Sequence, residues 1–216
     1  MAWDTERTQK LLLDAATVCF SESGLAGTRI DAIARAAGVN KERIYTYFGN
    51  KEALFETVLS RELQTFVGQV HVSGVGAEAV GEYAGAFFDR FHESPHLPRL
   101  LAWEGLERSD ARLGGQTRLE NCVAKVDTLG HALPGVSRGH TAQLLLSIIM
   151  LAAAWWTMPQ MNRLVLGGSE GTQDVPQTAG DRFGRDRHRR ADLVLQVTGA
   201  ARELLARVGS PVAVDR

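Results

Sequence analysis

Cysteine is scarce in this chain: Cys19 and Cys122 are the two among 216 residues. Two distant thiols exclude a disulfide framework and a cysteine-rich zinc site, and they suit a reducing cytosol. An excess of one charge sign is lacking as well. Lys and Arg number 24 against 25 Asp and Glu, for a net charge of −1. The chain is no polycation, so any attraction to nucleic acid must come from a local patch. Long apolar runs are also missing. The longest, Leu144–Trp156, contains Ser147 and is shorter than the roughly 20 residues that cross a bilayer. It reads as a buried or interface helix, with no membrane partner. The opening MAWDTERTQK is charged and lacks the apolar core of an export signal, which predicts a cytoplasmic protein. No segment sustains strand alternation.

Helical periodicity fills the space those absences leave, and an all-α fold follows. Apolar residues make up 44% and charged residues 23%, enough to bury a sizeable core in one large domain or two small ones. Leu12, Ala15, Ala16, Cys19 and Phe20 form one helical stripe, stopped near Ser23-Gly24. Thr28 is placed to cap a helix burying Ile30, Ile33, Ala34 and Ala37. Gly38 supplies a turn that needs positive φ. Asn40 and Asn50 are placed to cap the two helices that follow. After about residue 67, GQVHVSGVGAEAVG reads as a linker. Val80, Tyr83, Ala84, Phe87, Phe88 and Phe91 then make a strong stripe. Helices are expected over about 97–106, 112–132 and 138–157, a loop over 162–186, and a last helix with Val194, Val197, Ala201, Leu204, Leu205 and Val208 on one face.

The stretch AGVNKERIYTYFGNKEAL carries the functional signal. Two short helices joined through AAGVN suit a helix-turn-helix, whose second helix enters a DNA major groove. Ile33, Ala34, Ala37, Val39, Ile44 and Phe48 would form its small core. Lys41, Glu42, Arg43, Tyr45, Thr46 and Tyr47 would then project outward beside Asn40, a mixture suited to phosphates and base edges. Lys51 opens the next helix, where its charge and free N–H groups can meet a phosphate. Thr28 and Arg29 would grip the backbone similarly. A plain helical hairpin with a solvated face has the same composition, so the order of residues must decide. Gly27, Thr28, Ile33-Ala34, Ala37-Gly38-Val39, Ile44-Tyr45, Phe48 and Lys51-Glu52-Ala53-Leu54 together resemble the DNA-binding domain of TetR-type transcriptional regulators over residues 8–66. Arg29 departs from the pattern, standing where the family commonly has a second hydroxyl residue.

The resemblance implies a DNA-binding domain over 6–66, with its helix-turn-helix at about 30–49, and a helical regulatory and dimerisation domain over 67–216. It implies a homodimer on a palindromic double-stranded operator, most simply a ligand-responsive repressor and not an enzyme. Helices at about 138–157 and 190–208 would form the intersubunit bundle. A small apolar or aromatic effector is the expected ligand, with Phe87, Phe88, Phe91, Trp103, Trp155 and Trp156 as walls and His92 and Glu104 as polar anchors. The same aromatic stripe also serves as ordinary core. One alternative is a DNA-binding regulator with no small-molecule inducer.

Another alternative is a helical metal-dependent enzyme using His92 and His96 of HESPH. That zinc motif needs both histidines on one continuous helix, and Pro95 breaks it. GGSEG (167–171) lacks the strand that a nucleophile elbow requires. GVGAEA (74–79) lacks the parallel sheet of a dinucleotide site. RFGRDRHRR (182–190) reads as a solvated helix entry. No cofactor or metal is expected.

Overall fold

The computed structural model describes residues 2–108, 115–167 and 179–209, with side-chain surroundings for 5–108, 116–165 and 186–208. Among these residues the chain forms α1 (Ala2–Gly27), α2 (Ile30–Ala37), α3 (Glu42–Phe48), α4 (Lys51–Val67), α5 (Ala77–Glu93), α6 (His96–Glu107), α7 (Gly115–Ala132), α8 (Arg138–Thr157), α9 (Pro159–Gly167) and α10 (Ala179–Gly209), with no strand. The all-α expectation holds. Two compact units are present, Met1–Gly68 with Ser94–Arg118, and Gln69–Glu93 with Leu119–Arg216.

In the first unit α1 packs against α2, α4 and α6. Leu12, Ala16 and Phe20 of its stripe are fully buried, and Phe20 meets Phe55 of α4 edge-on at 5.2 Å. The expected stop at Ser23-Gly24 is a break within α1. Gly24 takes φ 71°, ψ −177°, and the helix resumes for a final turn.

The contact boundary differs from a simple cut at 66/67, because α6 joins the first unit. Leu97 and Leu100 are buried there, Ser94 Oγ donates to Glu62 Oε2 (3.3 Å), and Arg108 pairs with Glu56 (2.5 Å). Sequence spacing cannot register this return, since 25 residues of the other unit intervene.

In the second unit all six residues of the α5 stripe are buried. α5 lies close along α10 because Gly81 and Gly85 have no side chains. A Cβ at 81 would fall on the Thr198 hydroxyl, and one at 85 would lie 3.0 Å from a Val194 methyl. α8 packs on α5 and α10, burying Leu144, Leu145, Ile148 and Ala152. The linker at 68–76 is pinned: Val70 is buried and accepts from Lys125 Nζ (3.3 Å), and Gly76 N–H donates to Ala132 O (2.8 Å).

Three expectations need correction. The loop over 162–186 is too wide, for α9 runs to Gly167 and α10 begins at Ala179, leaving 168–178 outside the described residues. Pro159 at the first helical position starts α9, where its missing N–H costs nothing. On α10 the buried residues are Leu193, Val197, Thr198 and Ala201, while Val208 is 48% exposed. The apolar run Leu144–Trp156 sits in a 20-residue helix long and apolar enough, by length and composition, to cross a membrane. Residues 138–143 and Thr157 extend α8 beyond the apolar run at both ends.

Candidate nucleic-acid interface

The interface starts from backbone geometry at Gly38. Its φ of 65° ends α2, with Gly38 N–H donating to Arg35 O (3.2 Å) and Val39 N–H to Ala34 O (3.0 Å). This left-handed cap reverses the chain in three residues, and glycine adopts it without a Cβ penalty. α3 follows with Ile44 fully buried and Phe48 half-buried, so one side of the helix is anchored. Ile33 and Ala34 of α2 complete the small core, while Ile30, Ala37 and Val39 are half-buried.

Anchoring that side exposes the other. Asn40, Lys41, Glu42, Arg43, Tyr45 and Thr46 are exposed, Tyr45 at 52%, and Tyr47 is half-buried. Arg43 Nη1 donates to the Tyr47 hydroxyl (3.3 Å), and its guanidinium carbon lies 6.0 Å from that ring's centre. Tyr47 stands edge-on to Phe48 at 6.3 Å. Thr46 Oγ1 donates back to Glu42 O (2.9 Å). Residues 29–52 carry five cations and three carboxylates, so this segment is locally basic in a chain of net charge −1.

Lys41 Nζ lies 3.2 Å from Asp31 Oδ1 at the start of α2. That hydrogen bond and the carboxylate charge raise the Lys41 pKa above its ordinary 10.5. The pairing of Asp31 with Lys41 is not readable in the sequence, because ten residues and a turn separate them. Sequence reasoning passed over Arg35, an exposed cation in the last turn of α2.

The caps differ in detail from expectation. Asn50 does cap α4, its side chain accepting from Ala53 N–H (2.7 Å). Asn40 likewise supplies the cap bond of α3, its Oδ1 accepting from Glu42 N–H (3.2 Å), while Lys41 at the boundary is already helical and makes no side-chain cap bond. α2 is capped by Arg29, whose backbone is extended and whose side chain makes no cap bond. Thr28 is 4% exposed and turns inward, donating to Gly24 O (2.6 Å) and Cys19 O (3.1 Å). With its hydroxyl turned toward these carbonyls, Thr28 does not reach the first amides of α2. Lys51, half-buried at the head of α4, donates to Thr28 O (3.2 Å).

The eight expected effector contacts divide between the two units. Trp103 and Glu104 lie in the first, where Arg118 grips Glu104 with bonds of 2.9 and 2.8 Å. Glu104 is thus no free anchor. Phe87, Phe88, Phe91, His92, Trp155 and Trp156 lie in the second. Trp156 packs against Phe88 (5.1 Å), Phe91 (6.1 Å) and His92 (6.5 Å). Asp186 of α10 accepts from Trp155 Nε1 (3.2 Å) and sits 3.4 Å from His92 Nδ1. A surface depression of about 310 Å³ lies elsewhere, lined by Val126, Gly130, Val136 and Thr141 among others.

His92 ends α5 and His96 begins α6, with His96 Nδ1 bonded to Ser21 Oγ (2.9 Å), so the two do not share a helical face. Gly74–Ala79 leads into α5 with no strand before it, and Gly168–Gly171 lie outside the described residues. In the Arg-rich run, Arg190 pairs with Asp89 (2.7 Å) and Glu82 (3.2 Å), and Arg189 covers Trp155 at 5.3 Å.

Residues 12–58 match the bacterial regulatory proteins of the tetR family, and residues 79–180 match the tetracyclin repressor-like C-terminal domain. The HTH-type transcriptional repressor SCO4008 of Streptomyces coelicolor is 34% identical over 177 residues, covering 80% of this chain and 91% of that protein. The HTH-type transcriptional repressor NicS of Pseudomonas putida is 32% identical over 111 residues, 50% of this chain and 52% of its own length. The solved structure of the regulator SCO4942 from Streptomyces coelicolor has a TM-score of 0.67 at 28% identity, covering 88% of this chain and 96% of that one. A short helix behind a left-handed glycine cap, an all-helical second part and relatives along most of the length converge. The chain belongs to the TetR family of bacterial transcriptional regulators, and is a DNA-binding regulator, not an enzyme.

Proposed function

We propose that two copies of the chain bind a palindromic operator as a repressor in the cytoplasm, each inserting α3 into a major groove about 34–36 Å from the other. The observation that carries this reading is the exposed row from Asn40 to Thr46, with Tyr47 beside it, on a helix anchored by buried Ile44. Arg43 and Lys41 attract phosphate or fork onto guanine, and Tyr45, Thr46 and Tyr47 supply hydroxyls. Arg29 and Lys51 flank the groove helix and hold the backbone. Thr28 drops out of the contact set, because its hydroxyl is engaged inside. Repression is supported by the names of SCO4008 and NicS.

Dimerisation is supported by the apolar residues that α8 and α10 leave in solvent. Leu146 (52%), Met150 (58%) and Leu195 (70%) are costly to expose on a lone chain. A two-fold operator requires two-fold protein symmetry. The aromatic cluster of α5 and α8 supports a small apolar or aromatic effector, contacted by Phe88, Phe91, His92, Trp155 and Trp156. Control without an inducer is favoured by one observation: Phe87, Phe88 and Phe91 are all under 5% exposed.

Replacing Lys41 and Arg43 together by Ala lowers operator affinity and flattens its dependence on salt. Unchanged affinity and slope in such a variant would remove α3 from the groove. Small aromatic compounds that raise the melting temperature and release DNA identify the effector class, since a ligand of the native state stabilises it. Compounds that stabilise without releasing DNA favour the inducer-free reading.

A further inference from the structure

We propose that Glu107 is a positioning residue for DNA binding: its carboxylate fixes the bend in α1 and so the direction in which α2 and α3 leave it. Gly24 (φ 71°, ψ −177°) turns the amides that follow it out of the helical ladder. The amide of buried Leu25 without an acceptor would be costly, and Glu107 supplies one while also reaching the exposed amide of Ala26. Its Oε2 accepts from Leu25 N–H at 2.6 Å and from Ala26 N–H at 3.2 Å, and Oε1 lies 3.3 Å from the latter.

The rest of α6 closes on the same bend. The Trp103 ring covers Gly24 so closely that a Cβ there would come within 2.8 Å of it, and within 2.5 Å of Glu107 Oε1. Trp103 Nε1 donates to Ser21 O (3.3 Å), and His96 Nδ1 bonds Ser21 Oγ (2.9 Å). On the exit side, Thr28 ties Gly24 O, and Lys51 of α4 ties Thr28 O. Two residues, Thr28 and Arg29, connect α1 to α2. A change of angle at Gly24 therefore turns the α2–α3 pair with little slack to absorb it.

The stability of α6 does not explain a carboxylate here. Glu107 is the last residue of that helix, where the dipole disfavours negative charge. α6 is already held to α1 and α4 by buried Leu97 and Leu100. The carboxylate acts on the bend, and it lies beyond the matched DNA-binding segment of residues 12–58.

The spacing readout rests on the proposed two-fold operator. The probe is the two-fold site that the full-length wild type selects from a randomised duplex library, remade with its spacer one base pair shorter and longer. Glu107→Ala is expected to weaken binding to the selected site about tenfold and to level the affinities across the three spacers. Glu107→Gln keeps an oxygen for both amides, and is expected to restore both affinity and spacer preference. Wild-type behaviour of the Ala variant, an equal loss on all three spacers, or failure of Gln to rescue overturns the proposal. Should Glu107→Ala not fold, Trp103→Phe removes the bond to Ser21 O and must level the spacers in the same way. A wild type that selects single half-sites sinks the dimer reading instead, and Glu107 is then judged by affinity and Gln rescue alone.

Discussion

At the scale of single residues, the behaviour of a cation depends on what faces it. Lys41 is exposed and its pKa is raised by Asp31, so its charge is held below pH 10.5 and lost only above. Titration from pH 6 to 9 should leave its contribution to DNA binding untouched. Lys41→Ala should lower the slope of log affinity against log salt by about one, and Asp31→Asn should tighten binding at low salt. Filter binding at several salt concentrations measures both. Lys125 is the opposite case. It is half-buried, with its ammonium 5.6 Å from the centre of the Phe87 ring, and desolvation lowers its pKa. The folded state disfavours the charged form, so the unfolded chain binds more protons in the window between the lowered folded value and 10.5, and stability rises as pH climbs through that window. Lys125→Met removes the titrating group together with its bond to Val70 O, so its melting temperature should lack the rise that wild type shows as pH climbs toward 10.5. Melting curves across that range decide it. The Lys41 and Arg43 contact candidates were legible from residue type and spacing. The Asp31 partner was not, since only folding brings residues 31 and 41 together.

At the scale of elements, the glycines divide by what a methyl group would meet. Gly38 has open space around its missing Cβ, so Gly38→Ala should cost about 1–2 kcal/mol through the backbone alone. At Gly81 a methyl group would meet the Thr198 side chain and would sit 3.1 Å from the Val194 carbonyl oxygen, a backbone atom that cannot easily move aside. Gly81→Ala should cost about 1–3 kcal/mol by overpacking α5 against α10. Gly85 faces the flexible end of Arg190 as well as Val194, and its Ala variant should cost less. Chemical denaturation of the three variants ranks them. Helices α2 to α8 could be read from stripes, caps and Gly or Pro punctuation. α9 was lost because Gly, Pro and Gln downstream made its whole neighbourhood look like loop, although Met161, Leu164 and Val165 keep helical spacing. Thr28 misled because a cap and an inward hydroxyl share one sequence signature, and the Gly24 break decides between them.

At the scale of the whole molecule, a net charge of −1 makes DNA affinity a property of one patch, and so strongly salt-dependent. Dimerisation should depend on α8 and α10. Leu146→Asp with Met150→Asp should give a monomer by light scattering at micromolar concentration, while the helical circular dichroism persists. A dimer that survives both charges would place its interface elsewhere. The sequence by itself determined the helical class and which polar side chains α3 leaves exposed, because periodicity, caps and a left-handed glycine are local and act within a few residues, and its motif series resembled the family that the relatives then showed. Only the tertiary structure decided that α6 returns to the first unit, that Glu107 holds the Gly24 bend, and that Glu104 is taken up by Arg118. Those are pairings across 14 to 82 positions, and chain spacing carries no record of which distant groups will meet.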